Sequence, residues 1–184
     1  MGEVTASTPN VPSADVIVGT EALLRRLSPA DGFGAVAFVD FDQELLAPRV
    51  RAGSEALGLL AMASRLVGGR AGRVLVQTRV PDHPAVRSAL LAEPGILVEE
   101  EVAVREGLRF PPYAAIAVVS GEGAGEYVSG LSAAASSLAP VEVLGPERGE
   151  WLVKAADPAA LADALAGVPR PARRLRIAVD PARI

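Results

Sequence analysis

The chain has 184 residues, half of them apolar, with 18 basic and 22 acidic side chains and a formal charge of −4, which leaves room for one large or two small domains and argues against a free-standing, nonspecific DNA binder. It contains no cysteine and one histidine, His83, which excludes disulfides, thiolate zinc sites, a cysteine nucleophile and any multi-histidine metal centre. No apolar run approaches the roughly 20 residues of a membrane span and no signal-type hydrophobic region opens the chain, so a cytoplasmic protein is expected.

Residues 1–14 are polar and carry Pro9 and Pro12, with room for a short strand near Glu3 to Ala6. Asp15 to Thr20 reads as a buried strand, Glu21 to Leu27 as a short helix ended by Pro29 and Gly32, and Ala35 to Asp40 as a second apolar strand. Near-continuous apolar strands separated by helical segments are the mark of a parallel sheet covered on both faces. Phe41 to Arg51 is irregular in pattern, and a helix is expected from about Ala52 to Val67 with Leu57, Leu60, Ala61 and Ser64 inward. A third buried strand spans Val74 to Thr78, and a helix from His83 to Ala92 directs Val86, Ala89 and Leu90 inward, with Pro94-Gly95 closing this α/β layer.

The charged stretch Glu99 to Phe110 fits a connecting helix that stops before Pro111-Pro112, because residues preceding proline avoid the helical region. Then come a strand at Tyr113 to Ser120 and a helix at Gly125 to Leu138 with Val128, Leu131, Ala135 and Leu138 on one face. Strands follow at Val141 to Leu144 and Trp151 to Ala155. Asp157 and Pro158 suit the N-cap and first position of a further helix stopped by Gly167. A last strand, Arg174 to Val179, places Leu175, Ile177 and Val179 on one face and Arg174 and Arg176 on the other. The order β-α-β-β-α-β is the split βαβ or ferredoxin-like arrangement, which leaves one sheet face bare of helices. The expected fold class is therefore α/β: a partial parallel layer over residues 1–98, then a small α+β ferredoxin-like domain over 99–184.

Two stretches carry candidate chemistry. Gly68-Gly69-Arg70-Ala71-Gly72-Arg73, at a joint between helix and strand, offers flexible backbone and two planar guanidinium forks; a phosphate-suited turn and a glycine-rich helix stop both fit it. From Arg148 onward seven basic residues face four acidic ones, although the whole chain is acidic. Arg148, Lys154, Arg173, Arg174 and Arg176 are the candidates for an anionic partner, against the alternative of a solvated charged strand. Asp40 and Asp42 lack a partner base and read as solvated loop and capping carboxylates, and His83 as a helix-start residue. Trp151 alternates with Val153 and Ala155 and belongs to the core.

Six separated stretches agree with one family: DVIVGTEAL (15–23), VDFDQELLAPRVRAGSEAL (39–57), GGRAGRVLVQTRVPDHP (68–84), REGLRFPPYAAIAVV (105–119), VLGP (143–146) and AVDP (178–181). In order and context they resemble the PriA family of bacterial primosomal replication-restart helicases. The resemblance implies that residues 1–98 correspond to the later half of a RecA-like second helicase lobe and 99–184 to the C-terminal domain. It places Gly19 and Thr20 at helicase motif V and Gly69 to Arg73 at motif VI, whose arginines, here Arg70 and Arg73, act in an intact helicase as arginine fingers on the ATP γ-phosphate. It also implies branched or single-stranded DNA, single-strand-binding protein and primosome proteins as partners.

The departures bear on activity. Motif V continues as Glu21-Ala22-Leu23-Leu24-Arg25-Arg26 where the family has Gln-Met-Leu-Ala-Lys-Gly, Leu66 replaces the glutamine that opens motif VI, and the loop after motif VI is shortened. No G-x-x-x-x-G-K-[ST] phosphate loop, Asp-Glu magnesium motif or cysteine-rich zinc insertion is present. ATP and Mg²⁺ are thus implied only for an intact family member, and this chain alone is expected neither to hydrolyse ATP nor to unwind DNA. It reads either as a fragment or as a helicase-decayed descendant of the kind found among actinobacterial members. The alternatives are half of an ATPase that needs its first lobe, and a structural interaction domain whose acidic surface meets a basic protein.

Overall fold

The computed structural model describes all residues except 6, 7, 9, 12, 69, 70, 135–139 and 182–184. It is a mixed α/β structure in two compact units, Met1–Glu99 and Glu100–Ile184. Gly69, Arg70, Ala135 and Leu138, singled out above, lie outside the described residues.

In the first unit, β1 (Gly2–Val4) pairs in parallel with β2 (Ile17–Gly19), followed by α1 (Glu21–Leu24) and a 3₁₀ turn at Pro29–Asp31. A second parallel pair is formed by β3 (Ala35–Phe38) and β4 (Arg73–Val76), connected through α2 (Asp42–Leu45) and α3 (Ala52–Leu66). Then come α4 (Pro84–Leu91) and α5 (Gly95–Gly107), within which the boundary between the units falls. The expected continuous parallel layer is therefore two separate two-stranded sheets. Nor is the β3–β4 pair covered on both faces: Val74, Val76 and Phe38 pack on the helices, while Ala35, Ala37, Arg73 and Leu75 are exposed.

The core of this unit gathers Phe41, Leu45, Ala56, Leu59, Leu60, Val86 and Leu97. Several inward faces differ from the expected ones. Helix α3 buries Ala56, Leu59, Leu60, Ala63 and Leu66, whereas Ala61 and Ser64 are exposed and Leu57 is half-buried. The stripe is rotated by about one residue, roughly 100°, because alanines let the helix approach the sheet most closely. In α4, Ala85, Val86 and Ser88 are buried and Leu90 is 77% exposed. Ser88 is tolerated there because its Oγ accepts the Leu97 backbone N–H at 3.1 Å, which also explains why α5 begins at Gly95 rather than near Glu99.

Phe41 to Arg51 is not wholly irregular, since α2 forms where Phe41 and Leu45 bury their side chains. Asp42, expected to be solvated, is only 7% exposed. Its carboxylate accepts hydrogen bonds from Thr78 Oγ1 (2.5 Å), the Arg79 backbone N–H (3.1 Å) and Arg79 Nε (2.8 Å), joining the segments that leave β3 and β4. His83 caps α4, its Nδ1 accepting the Ala85 N–H at 3.2 Å.

The second unit runs β5 (Ala115–Ser120), α6 (Ala124–Ala134), β6 (Val141–Glu147), β7 (Glu150–Ala155), α7 (Pro158–Ala166) and β8 (Arg176–Val179). Its four strands lie in the order β6-β7-β5-β8, every neighbouring pair antiparallel. Ala115, Ala117 and Val119 of β5 and Val153 of β7 meet Tyr127, Val128 and Leu131 of α6 and Leu161 of α7 in one core, with Trp151 packed against it. Tyr127 Oη donates to the Leu165 carbonyl at 2.5 Å, tying the two helices together. Asp157 caps α7 by accepting the Ala160 N–H at 2.8 Å.

The opposite sheet face is not bare throughout. Cross-strand register aligns Glu142, Lys154 and Ile116 in one row. Over this row lie residues 108–110: Lys154 Nζ donates to the Leu108 carbonyl at 3.0 Å and stands 4.4 Å from the Phe110 ring centroid, and Arg109 approaches Glu142 at 3.9 Å. Ile116 is consequently 1% exposed although it points away from both helices. The next row, Leu144, Leu152, Val118 and Ala178, is only partly covered.

Two outcomes test this packing. Leu131→Ala, at a side chain 1% exposed, should lower the stability of the second unit by about 2–5 kcal/mol in urea unfolding. Hydrogen bonds from Thr78 and Arg79 lower the Asp42 pKa below the ordinary carboxylate value. The stability this adds is present above the unfolded pKa and is lost as pH falls through the folded one. Asp42→Asn should therefore lower the melting temperature at neutral pH and flatten its decline in acid, followed by circular dichroism from pH 7 to pH 2.

Candidate nucleic-acid interface

The basic C-terminal third is brought to one end of the second unit's sheet by three local devices. The β6–β7 turn holds Arg148 and Gly149 at φ 51° and 82°, the paired left-handed conformation of a tight two-residue hairpin, and this projects the Arg148 side chain beyond the sheet. Arg176 opens β8 opposite Ser120, and Ser120 in turn lies opposite Glu150, so the start of β8 and the hairpin share one end of the sheet. Two strand spacings, about 10 Å, separate β7 from β8.

The third device is a close backbone approach. Gly121, at φ 106°, lies so near the chain entering β8 that a Cβ on it would stand 2.5 Å from the Arg174 carbonyl oxygen. That carbonyl accepts the Gly123 N–H at 3.1 Å, which pins the Arg173-Arg174 segment to the loop after β5. The strand itself starts at Arg176 rather than Arg174, because Arg174 spends its carbonyl on this loop and not on a neighbouring strand.

Arg148, Arg173, Arg174 and Arg176 are all exposed, and none makes an ion pair among the described residues. Glu147 and Glu150 lie between them, so the end is mixed in charge rather than uniformly basic. Lys154 does not join the group. It is 7% exposed at the other end of β7, with its ammonium engaged by the Leu108 carbonyl and the Phe110 ring. Alternation along β7 correctly puts Lys154 on the helix-free face, but the segment that covers it arrives from residues 46 positions away.

The helicase-like positions occupy the first unit. Gly19 ends β2 against β1, where a Cβ would stand 2.6 Å from the Val4 carbonyl oxygen, and Thr20 is the N-cap of α1 without a side-chain capping bond. Arg73 is the first residue of β4, paired with Ala35, its N–H donating to the Gly34 carbonyl. It is thus part of a strand rather than of a free loop. The Asp42–Arg79 contact escaped sequence reading, although Thr78 and Arg79 follow a strand end where such ties are common. Among the described residues no group of three or more His, Cys, Asp or Glu side chains is placed to hold a metal ion, and no helix is long and apolar enough to cross a membrane.

Gly121→Ala should cost more than about 1 kcal/mol, since both the positive φ and the Arg174 carbonyl oppose a Cβ. Lys154→Ala should lower the urea midpoint of the second unit while leaving the four exposed arginines in place, a separation visible as unchanged heparin retention at native conditions.

No family model matches the chain. Curated proteins do. It is 29% identical over 109 residues to replication restart protein PriA of Chlamydia pneumoniae, covering 54% of this chain and 14% of that protein. The match to the protein of the same name from Thermotoga maritima is 28% over 143 residues, 76% of this chain and 19% of the relative. That from Treponema pallidum is 34% identical over 110 residues, 54% of this chain and 15% of the relative. The chain therefore spans less than a fifth of the length of these relatives. The family resemblance carried by the sequence motifs stands, and this chain is similar to the C-terminal part of replication restart protein PriA.

Proposed function

We propose that the chain is a replication-restart module that binds branched or single-stranded DNA through Arg148, Arg173, Arg174 and Arg176 and docks primosome proteins, single-strand-binding protein among them. One observation carries the DNA reading: four exposed arginines without ion-pair partners, drawn from a hairpin and from the entry to β8, converge on one end of a sheet in a chain similar to PriA. Unpaired guanidinium groups near one another suit phosphate oxygens, and binding of this kind releases counterions. The interleaved Glu147 and Glu150 favour a strand or fork whose phosphates reach the arginines locally over a duplex laid flat across the sheet.

On this reading the second unit is a ferredoxin-like domain, supported by its strand order and uniformly antiparallel pairing. The first is the later half of a RecA-like lobe, supported by its parallel pairs and the matched motifs. The chain has no phosphate loop in its sequence, and Arg73 is held in a strand, so no step of ATP hydrolysis is assigned to it. Its place of action is the cytoplasm, where replication forks of bacteria lie.

Fluorescence anisotropy with a labelled fork should give salt-dependent binding with a slope of log K against log salt of about −3. Arg174→Ala and Arg176→Ala should each weaken binding and reduce that slope by about 1, while Lys154→Ala leaves the slope unchanged. Binding indifferent to salt, or unaffected by removing the four arginines together, would overturn the proposal.

A further inference from the structure

The helix-free face of the second unit changes character from row to row. Side chains alternate along a strand, so this face takes every second residue of each strand. The row Glu142, Lys154 and Ile116 is sealed by residues 108–110, with the Lys154 ammonium on the Leu108 carbonyl and the Phe110 ring. Two residues further along each strand lies a row that is entirely aliphatic: Leu144, Leu152, Val118 and Ala178. Two residues beyond that, Glu150, Ser120 and Arg176 close the sheet at the end where Arg148 projects and Arg173 and Arg174 enter.

The middle row is the open one. Leu144 is 42% exposed and Leu152, Val118 and Ala178 are half-buried, whereas the residues on either side of Val118, Ala117 and Val119, are fully buried on the helix face. Crossing four strands, the row is about 14 Å long. It holds no charged and no aromatic side chain, and the end beside it carries exposed arginines without ion-pair partners among the described residues.

Apolar surface beside free guanidinium groups complements a nucleotide, in which an anionic phosphate is joined through a sugar to a base with apolar faces. Two residues of strand, about 7 Å, separate Arg176 from Ala178, which is within the reach of one nucleotide from phosphate to base. Four-stranded sheets with helices on one face bear unpaired bases on the other in single-strand-binding modules, where aromatic side chains stack about two or three of them. The row here is aliphatic and offers no flat π surface, and the base contact that such side chains make best is to the C5 methyl of thymine. A duplex keeps its base faces stacked inside and cannot present them to the row.

From these features, and resting on the DNA-binding reading of the arginine end, we infer that Leu144, Leu152, Val118 and Ala178 form a base-contact surface for unpaired thymines of a single strand whose phosphates lie on Arg174 and Arg176. The arginines supply the salt-dependent part of binding. The aliphatic row supplies a salt-independent part that selects unpaired over paired DNA and thymine over uracil.

The test uses the full chain and three labelled 12-mers with the same number of phosphates: oligothymidine, oligodeoxyuridine and an abasic strand. Fluorescence anisotropy is followed across a salt series. Oligothymidine should bind about threefold or more tighter than oligodeoxyuridine and about tenfold or more tighter than the abasic strand, all three with the same slope of log K against log salt. Leu144→Ala, at an exposed position on an edge strand, should reduce the preference for oligothymidine over the abasic strand by about threefold and leave abasic binding unchanged. Equal affinity for oligothymidine and either of the other strands, with the salt slope intact, would overturn the inference and leave the DNA reading standing. Leu144→Ala weakening all three strands alike would also overturn it. Failure of every strand and of a fork to bind would overturn the DNA reading itself, and this inference with it.

Discussion

Strand β5 is the constraint on which the second unit depends. It is hydrogen-bonded along both edges, to β7 and β8, is buried on its helix face and is covered at Ile116 on the other. Its odd-numbered residues, Ala115, Ala117 and Val119, are small enough to let α6 and α7 sit close to the sheet. Its even-numbered Ile116 needs a different cover, which comes from the chain just after α5. A charged side chain is part of that cover: Lys154 lies beside Ile116 in the sheet and is held by a carbonyl and an aromatic face. Burying an ammonium is costly unless its donors are engaged, and the Leu108 carbonyl and Phe110 ring meet that condition here. The residues that precede β5 in sequence thus return to lie across it.

The same strand orders the candidate interface. Ser120, its last residue, aligns Glu150 on one side with Arg176 on the other, and the turn that follows it accommodates the Arg174 backbone through a glycine. Arginines distant along the chain are consequently neighbours in space because one central strand sets the register of both of its partners. Their guanidinium groups stay in water because the core contacts of this end are made by Leu175 and Ile177, which alternate with them.

The first unit is built on the opposite principle. Among the described residues its parallel pairs are short, each has an edge without a partner strand, and only one face of β3–β4 is packed on helices. At its C-terminal end the second pair is tied by the backbone, Gln77 N–H donating to the Phe38 carbonyl and Phe41 N–H to the Gln77 carbonyl, and by the Asp42 carboxylate, which satisfies Thr78 and Arg79 at once. Charge-assisted bonds of this kind are stronger than neutral ones and fix direction as well as distance. They substitute locally for the sheet neighbours that a longer parallel layer would supply.

Much of the local structure was legible in the residues. Short apolar runs and period-two alternation located the strands, Asp157-Pro158 and His83-Pro84 marked helix starts through chemistry confined to one turn, and the family resemblance rested on short motifs in fixed order. The helix faces were less legible, because an alanine such as Ala56 or Ala63 carries little hydrophobic signal and yet packs most closely. The same holds for Ser88, whose burial depends on an amide nine residues away. Sequence alone determined the α/β character, the β-α-β-β-α-β order and which basic residues occupy the C-terminal third, since these follow from periodicity and composition. Only the tertiary structure decided which of those cations stay in water. Lys154 and Arg176 both sit on the helix-free face of one sheet, and what separates them is whether a distant stretch of chain folds over that part of the face.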